Sequence, residues 1–260
     1  MTNQSLISKS NYVSERNYIT GTIRELDIKA ANINILFHSG LIDENLYQYL
    51  LALPKQDREI YIGNRIRQDK GIYESIQNGI KEAKIWLSEA NNLKDSEIVR
   101  IANDAVYVKR TSPLGFLKYD NIEFVEKNVY SSMLNLNGIV LFFNYNKEGV
   151  LNVDVKGIGD KELGYHNGYI LSIIGQTIFL LERSSSRDAM KFISDFYDQF
   201  INRVLPIGMY RPFDATSAYQ IYGFLCYDEP DNVQDVDIRY NLNVIRTLYG
   251  VVLEEYMKGK

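Results

Sequence analysis

Apolar residues recur along this chain with two periods, and the balance between them shifts near Gly157. Ile23 to Leu36 opens as a strand and turns helical after Asp27, where Ala30, Ala31 and Ile33 suit a helix start; His38-Ser39-Gly40 breaks it. Asp43 to Leu53 places Leu46, Leu50 and Leu53 on one helical face, with Pro54 as the stop. A charged segment, Lys55 to Lys70, follows. Ile72, Ile76, Ile80, Ala83 and Leu87 recur at spacings of three and four, which predicts a helix ending at Asn91-Asn92. Ile98 to Val108, Ile122 to Val125, Gly138 to Phe143 and Val150 to Val155 read as strands, the last two joined in a hairpin through Asn144 to Gly149. Beyond Gly157 the pattern is helical. Ala189, Phe192, Ile193, Phe196, Tyr197, Phe200, Ile201 and Val204 form one stripe, and Leu242, Ile245, Leu248, Val252 and Tyr256 mark a terminal helix. Residues 1–20 show no strong period and read as a loose arm. Strands in the middle and helices in the last third predict an α+β fold, with an internal boundary in the glycine cluster from Gly157 to Gly168.

Composition narrows the chemistry. The 260 residues suffice for one large domain or two small ones, and 45% hydrophobic with 24% charged content is ordinary for a globular chain. A net charge of −4 supplies no global basic field, so any nucleic-acid contact depends on local patches. The 20 tyrosines accompany abundant Asn, Ile and Lys, which fits an AT-rich genome better than a base-stacking role. Cys226 alone excludes an internal disulfide or a cysteine-based zinc site, and His38 and His166 do not make a histidine-rich one. Met1 to Asn17 has no apolar signal region and no apolar run reaches the ~18 residues of a membrane span, so a cytoplasmic protein with no membrane partner is expected.

Two aspartates then stand out. Asp27 and Asp104 each sit in an apolar, strand-like run, where an ionised carboxylate costs several kcal/mol unless something positive faces it. A shared divalent cation is one such partner. Alone, each has a plainer explanation: Asp27 as a helix cap, and Asn103-Asp104 as a turn. Between them, Lys55, Arg58 and Arg65 fall near one face of a helix, where cations would grip a triphosphate; the plainer alternative is a solvated helix paired to Asp57, Glu59 and Asp69.

In these segments the chain resembles the palm of family B DNA polymerases. Asp27-Ile28-Lys29-Ala30-Ala31-Asn32 is similar to that family's motif A, and Asn103-Asp104-Ala105-Val106-Tyr107 to the end of its motif C, Asp-Thr-Asp-Ser. Asp104 takes the second aspartate of motif C, while Ala102 stands where the family has its first. Lys127-Asn128-Val129-Tyr130 resembles the family's Lys-x-Tyr duplex-contact motif with one extra residue, and Val155-Lys156-Gly157-Ile158 its lysine-glycine segment. The resemblance spans residues 23–205, without an exonuclease domain or the long fingers helices carrying Lys-x-x-x-Asn-Ser-x-Tyr-Gly. It implies a palm-like antiparallel sheet backed by helices over 21–157, reduced fingers at 41–71, and a helical thumb-like region over 158–260. It further implies Mg²⁺ or Mn²⁺ at Asp27 and Asp104, nucleoside triphosphate at Lys55, Arg58 and Arg65, and primer-template at Lys127, Tyr130 and Lys156.

A small nucleotidyltransferase of viral or mobile-element type is therefore one expectation, with missing parts supplied by a partner subunit. The rival is a non-catalytic palm descendant serving as a nucleic-acid-binding or assembly subunit; Ala102 and the acidic net charge favour it. A third possibility makes the stripes at Ala189–Val204 and Leu242–Tyr256 partner-binding surfaces. Elsewhere, Asp154 reads as a partner of Lys156 or a third acid, Met209-Tyr210-Arg211-Pro212-Phe213 as a phosphate contact or a local cation–π packing, and Ser184-Ser185-Ser186 as a helix start. There is no Gly-x-x-x-x-Gly-Lys loop or His-Glu-x-x-His, and Gly157-Ile158-Gly159 lacks the third glycine of a dinucleotide site.

Overall fold

The computed structural model describes residues 6–136, 138–156, 168–211, 219–221, 224–226 and 228–259. They adopt an α+β fold in two compact units: Met1–Glu15 with Gly21–Ser131, and Arg16–Thr20 with Ser132–Lys260.

The first unit is a sheet in the order β1 (Asn11–Val13), β3 (Ile98–Ala102), β4 (Ala105–Lys109), β2 (Tyr18–Ile28) and β6 (Ile122–Leu136), with the short β5 (Lys118–Tyr119) on β6. The β1–β3, β3–β4 and β4–β2 pairings are antiparallel. Between β2 and β3 run α1 (Ala31–His38), α2 (Glu44–Ala52), α3 (Lys55–Gln68) and α4 (Lys70–Ala90). The stripe read from the sequence is the reason α4 forms: Ile72, Ile76, Ile80, Ala83 and Leu87 are all buried, in one core with Leu26 and Ile28 of β2 and Ile33, Ile35 and Leu36 of α1. Asp43 caps α2 by accepting from the Leu46 amide, and Asp69 caps α4 by accepting from the Gly71 amide. The charged segment Lys55–Lys70 is helical too, anchored in that core by Ile62.

Helix α1 is seated on α4 at a glycine. A Cβ on Gly79 would lie 2.4 Å from Ile35 Cγ2, and Ile35 is fully buried. Gly79→Ala is therefore expected to lower stability by about 1–2 kcal/mol: overpacking costs ~1–3 kcal/mol and the better helix propensity returns up to ~1. Thermal unfolding of the variant measures it, and an unchanged or raised Tm would show that the two helices are not in close contact there.

Two expectations are corrected in this unit. The arm expected over residues 1–20 is folded from Leu6 onward: a 3₁₀ turn at Leu6–Ser8, β1 paired to β3, and β2 starting at Tyr18. A three-residue edge strand owes its existence to its partner, so no periodicity announces it. The single strand expected from Ile98 to Val108 is a hairpin, with Ala102 opposite Ala105 and Asn103-Asp104 as the turn. Asn103 takes the positive φ of 50° that such a tight connection needs.

In the second unit, Ser132–Leu136 of β6 pairs with β7 (Ile139–Tyr145), which pairs with β8 (Leu151–Lys156). The expected β7–β8 hairpin is present, its link closed by Asn146 Oδ1 accepting from the amides of Glu148 and Val150. Helices α5 (Gly168–Arg183), α6 (Ser186–Ile201) and α7 (Arg239–Lys258) follow, with a ribbon of β9 (Tyr219–Ile221) and β10 (Phe224–Cys226) before α7. Ser185 caps α6 by accepting from the Asp188 amide. Ala189, Ile193, Phe196 and Phe200 of α6 share a core with Ile245, Leu248 and Val252 of α7, so the stripes pack together at these positions, while Ile201 and Val204 stay exposed. The compact units divide within β6. The expected boundary at residues 157–167, with His166 and Gly157-Ile158-Gly159, lies outside the described residues, as do Pro212 and Phe213.

Candidate functional site

At the end of β2 a cleft of about 320 Å³ is lined by Asp27 through Ile33, by Lys55, Arg58, Glu59 and Ile62 of α3, and by Asp104. Strand alternation sends Leu26 and Ile28 into the core and Asp27 to the opposite face. Asp27 stands opposite Ala105 in the ladder, so Asp104, one residue earlier in the turn, falls beside it; the Ile28 amide donates to the Asp104 carbonyl at 3.3 Å. The chain then turns sharply through Ala30, whose φ of 45° is unusual for a residue with a side chain, and enters α1 with no capping side chain. Buried Asn34 holds this turn. Its Nδ2 donates to the Lys29 carbonyl at 2.5 Å, and its Oδ1 accepts from the Tyr47 hydroxyl at 2.8 Å. The uncapped first turn of α1 thus faces the cleft with the positive end of its dipole.

Neither aspartate is fully buried, which corrects the premise that drew attention to them: both are half-buried, at a strand end and in a turn. Their electrostatics are nonetheless coupled. Burial, then the charge of Asp27, pushes the Asp104 carboxyl above its usual range, while Lys127 and Lys55 pull it down. Lys127 Nζ pairs with Asp27 Oδ2 at 3.2 Å, and Asp27 in turn holds the Lys127 ammonium above its ordinary range.

Three polar residues behind the cleft were not singled out from the sequence. Glu25, two residues before Asp27 and 2% exposed, accepts from the Tyr107 hydroxyl at 2.8 Å, Asn128 Nδ2 at 2.7 Å and the Tyr130 hydroxyl at 2.8 Å. Asn34 is the second. Lys84, 1% exposed, is the third: its Nζ donates to the Lys9 carbonyl at 2.7 Å and the Asn103 carbonyl at 3.0 Å, tying the Asp104 turn to the N-terminal segment. The sequence signal was there to use, since Lys84 continues the Ile76, Ile80 series at a spacing of four.

Burial drives the Lys84 amine down to about 8 from its ordinary 10.5, against the pull of Asp104. Between those values the unfolded chain binds the proton that the folded chain has lost, so this group makes stability rise with pH from about 8 to 10. Half-buried Tyr145 acts the other way above about pH 10, its hydroxyl being pushed up to about 12 by burial. The stability of the wild type relative to Lys84→Met is therefore expected to improve by about 2 kcal/mol between pH 7 and pH 10. Urea unfolding of both proteins measures the difference, and a difference that is flat with pH would contradict the burial of a charged amine.

The expected site residues are distributed unevenly. Asp27, Asp104, Lys55 and Arg58 meet in the cleft. Arg65 is exposed two turns further along α3 and is not among the lining residues. Lys55 also pairs with Glu59 at 3.6 Å, as the solvated-helix alternative required. Lys127 is at Asp27, whereas Tyr130, 2% exposed, has its hydroxyl on Glu25 and does not face a ligand. Lys156 belongs to the second unit and pairs with Asp154 at 2.9 Å. Arg211 packs over the Tyr219 ring at 4.8 Å, the cation–π alternative for that segment. His38 Nδ1 contacts Asp120 at 3.0 Å. Among the described residues no group of three or more His, Cys, Asp or Glu side chains is placed to hold a metal.

The structure defines an α+β protein with two adjacent aspartates in a cleft that also carries cations. The chain belongs to the family described as Bacteriophage PBS1 gene 130 protein, whose model it matches over residues 1–253. No curated protein matches it. The family is described by a phage protein, which is consistent with a viral origin and with a location in the host cell, and it carries no statement of polymerase ancestry. Among the described residues no helix is long and apolar enough to cross a membrane.

Proposed function

We propose that the cleft at the end of β2 is a divalent-cation-dependent nucleotidyl-transfer site acting on nucleic acid in the infected cell's cytoplasm. The observation that carries this reading is the convergence of Asp27, Asp104, Lys55 and Arg58 on one cleft from three separate elements. The donor set suits a hard cation: Mg²⁺ takes only one or two protein carboxylates and leaves its other positions to water and phosphate. Burial and, after it, the charge of Asp27 raise the Asp104 carboxyl, and a cation between the two would relieve the second of these. Asp27 and Asp104 would hold Mg²⁺ or Mn²⁺, which when bound would polarise a phosphoryl oxygen and lower the pKa of an attacking hydroxyl.

The chain's own residues would do the rest. Lys55 and Arg58 would neutralise a triphosphate, aided by the open amides of the first turn of α1. Asn34 would keep that turn in place through the Lys29 carbonyl. Lys84 would fix the Asp104 turn. Primer-template contact at the cleft would fall to Lys127 beside Asp27, with Tyr130 supporting the cleft through Glu25.

The rival reading, a non-catalytic nucleic-acid-binding or assembly subunit, is favoured by one observation. Lys127 and Lys84 already supply positive charge to the two aspartates, and Ala102 offers no third acid. Incorporation of labelled nucleotide on a primed template, with Mg²⁺ or Mn²⁺ and with candidate partner proteins, separates the two. Activity in the wild type that is lost in Asp27→Ala/Asp104→Ala supports transfer; equal silence in both favours the binding subunit.

A further inference from the structure

We propose that Lys127 is a resident counter-ion of the cleft, which a divalent cation must displace from Asp27 and which then becomes available to an anionic ligand. The inference rests on the cation reading of Asp27 and Asp104.

The two lysines that serve the aspartates differ in what they can do. Lys84 is buried and tied to two backbone carbonyls, so it is a fixed part of the Asp104 turn. Lys127 reaches Asp27 from β6, and its side chain is 56% exposed against 23% for Asp27. It has no carbonyl holding it among the hydrogen bonds described; its one such bond is to Asp27 Oδ2, at 3.2 Å. A lysine of this kind keeps a mobile four-carbon stem and three rotatable donors, and so can swing away without disturbing the strand.

The charge arrangement gives the swing a cause. Lys127 sits in the combined field of Asp27, Glu25 and Asp104, and Asp104 senses both Asp27 and Lys127. A dication between Asp27 and Asp104 brings two charges to a place where Lys127 supplies one, and the two cations then repel. Lys127 does not itself line the cleft but adjoins it at Asp27, and Lys55 and Arg58 line that cleft, so the displaced ammonium stays on a stem rooted beside the same site. Cation binding and anion binding are thereby linked, and linkage is reciprocal: each should tighten the other through the same lysine.

The test titrates Mn²⁺ into the full chain and counts the free ion by electron paramagnetic resonance, for wild type, Lys127→Gln, Lys127→Arg and Asp27→Asn. Removing a competing exposed ion pair should tighten Mn²⁺ binding about two- to fivefold in Lys127→Gln. Lys127→Arg, which keeps the charge, should bind no tighter than wild type, and Asp27→Asn should lose binding. Binding in Lys127→Gln where wild type shows none supports the proposal equally. If Lys127→Gln matches or falls below wild type while Asp27→Asn still loses binding, the counter-ion role is overturned and the cation site stands. The role is also overturned if Lys127→Arg tightens as much as Lys127→Gln. If wild type binds Mn²⁺ and Asp27→Asn binds it as tightly, or no protein binds, the cation reading itself fails.

Discussion

Glu25→Ala is expected to destabilise the first unit by about 3–5 kcal/mol, a large part of the ~5–15 kcal/mol that holds a domain together. The side chain is 2% exposed and accepts from two tyrosine hydroxyls and an asparagine amide, on β4 and β6. Truncation leaves two buried tyrosine hydroxyls and the half-buried Asn128 amide facing a cavity, and each unsatisfied buried donor costs about 1–3 kcal/mol before relaxation. Glu25→Gln should lose less, because one carbonyl oxygen remains to accept while its amide opposes a donor. Urea unfolding followed by tyrosine fluorescence reads both variants. A Glu25→Ala loss below about 1 kcal/mol would mean that the network is not closed as described. The consequence reaches the cleft, since Asp27 follows two residues later on the same strand.

Asp27→Asn and Asp104→Asn are each expected to reduce divalent-cation affinity, and with it nucleotide incorporation, by at least about 100-fold. Partners one step removed from a metal already cost 10–100-fold when lost, and a ligand should cost no less. Asparagine keeps the size of the side chain and its ability to support a turn or strand end, so stability should change by less than ~1 kcal/mol. The two effects therefore separate in one experiment: unfolding midpoints near wild type, with cation affinity collapsed. Variants that keep wild-type cation affinity would place the ion elsewhere. Variants that lose it without any incorporation by the wild type would leave a binding site and remove the transfer reaction.

Much of the fold was legible in the sequence because periodic burial is a sequence property. The α4 stripe, the β7–β8 hairpin and the change from strand to helix after Asp27 all follow from spacing. The cleft was legible in part. Asp27, Asp104, Lys55 and Arg58 were chosen as residue types in a plausible order, and the fold brings those four together. What could not be read was cooperative. β1 exists because β3 offers it an edge, and Asn103-Asp104 turns because Ala102 and Ala105 pair across it. The resemblance to a Lys-x-Tyr motif places Tyr130 on primer-template, yet its hydroxyl serves Glu25 on the neighbouring strand β2. Glu25 and Lys84 carry charges, which a hydrophobic pattern assigns to the surface; they are buried because several partners from distant segments converge on each. Satisfaction of a buried polar group is a property of the assembled unit and leaves little trace in local spacing.

The proposed site puts a divalent cation on Asp27 and Asp104, next to a triphosphate. Anomalous diffraction from crystals soaked with Mn²⁺ and a non-hydrolysable nucleoside triphosphate locates that ion directly. A manganese peak is expected between the two carboxylates, with the phosphates toward Lys55 and Arg58. Saturating Mn²⁺ and nucleotide that leave the cleft without a peak, or that place manganese away from both aspartates, would contradict it.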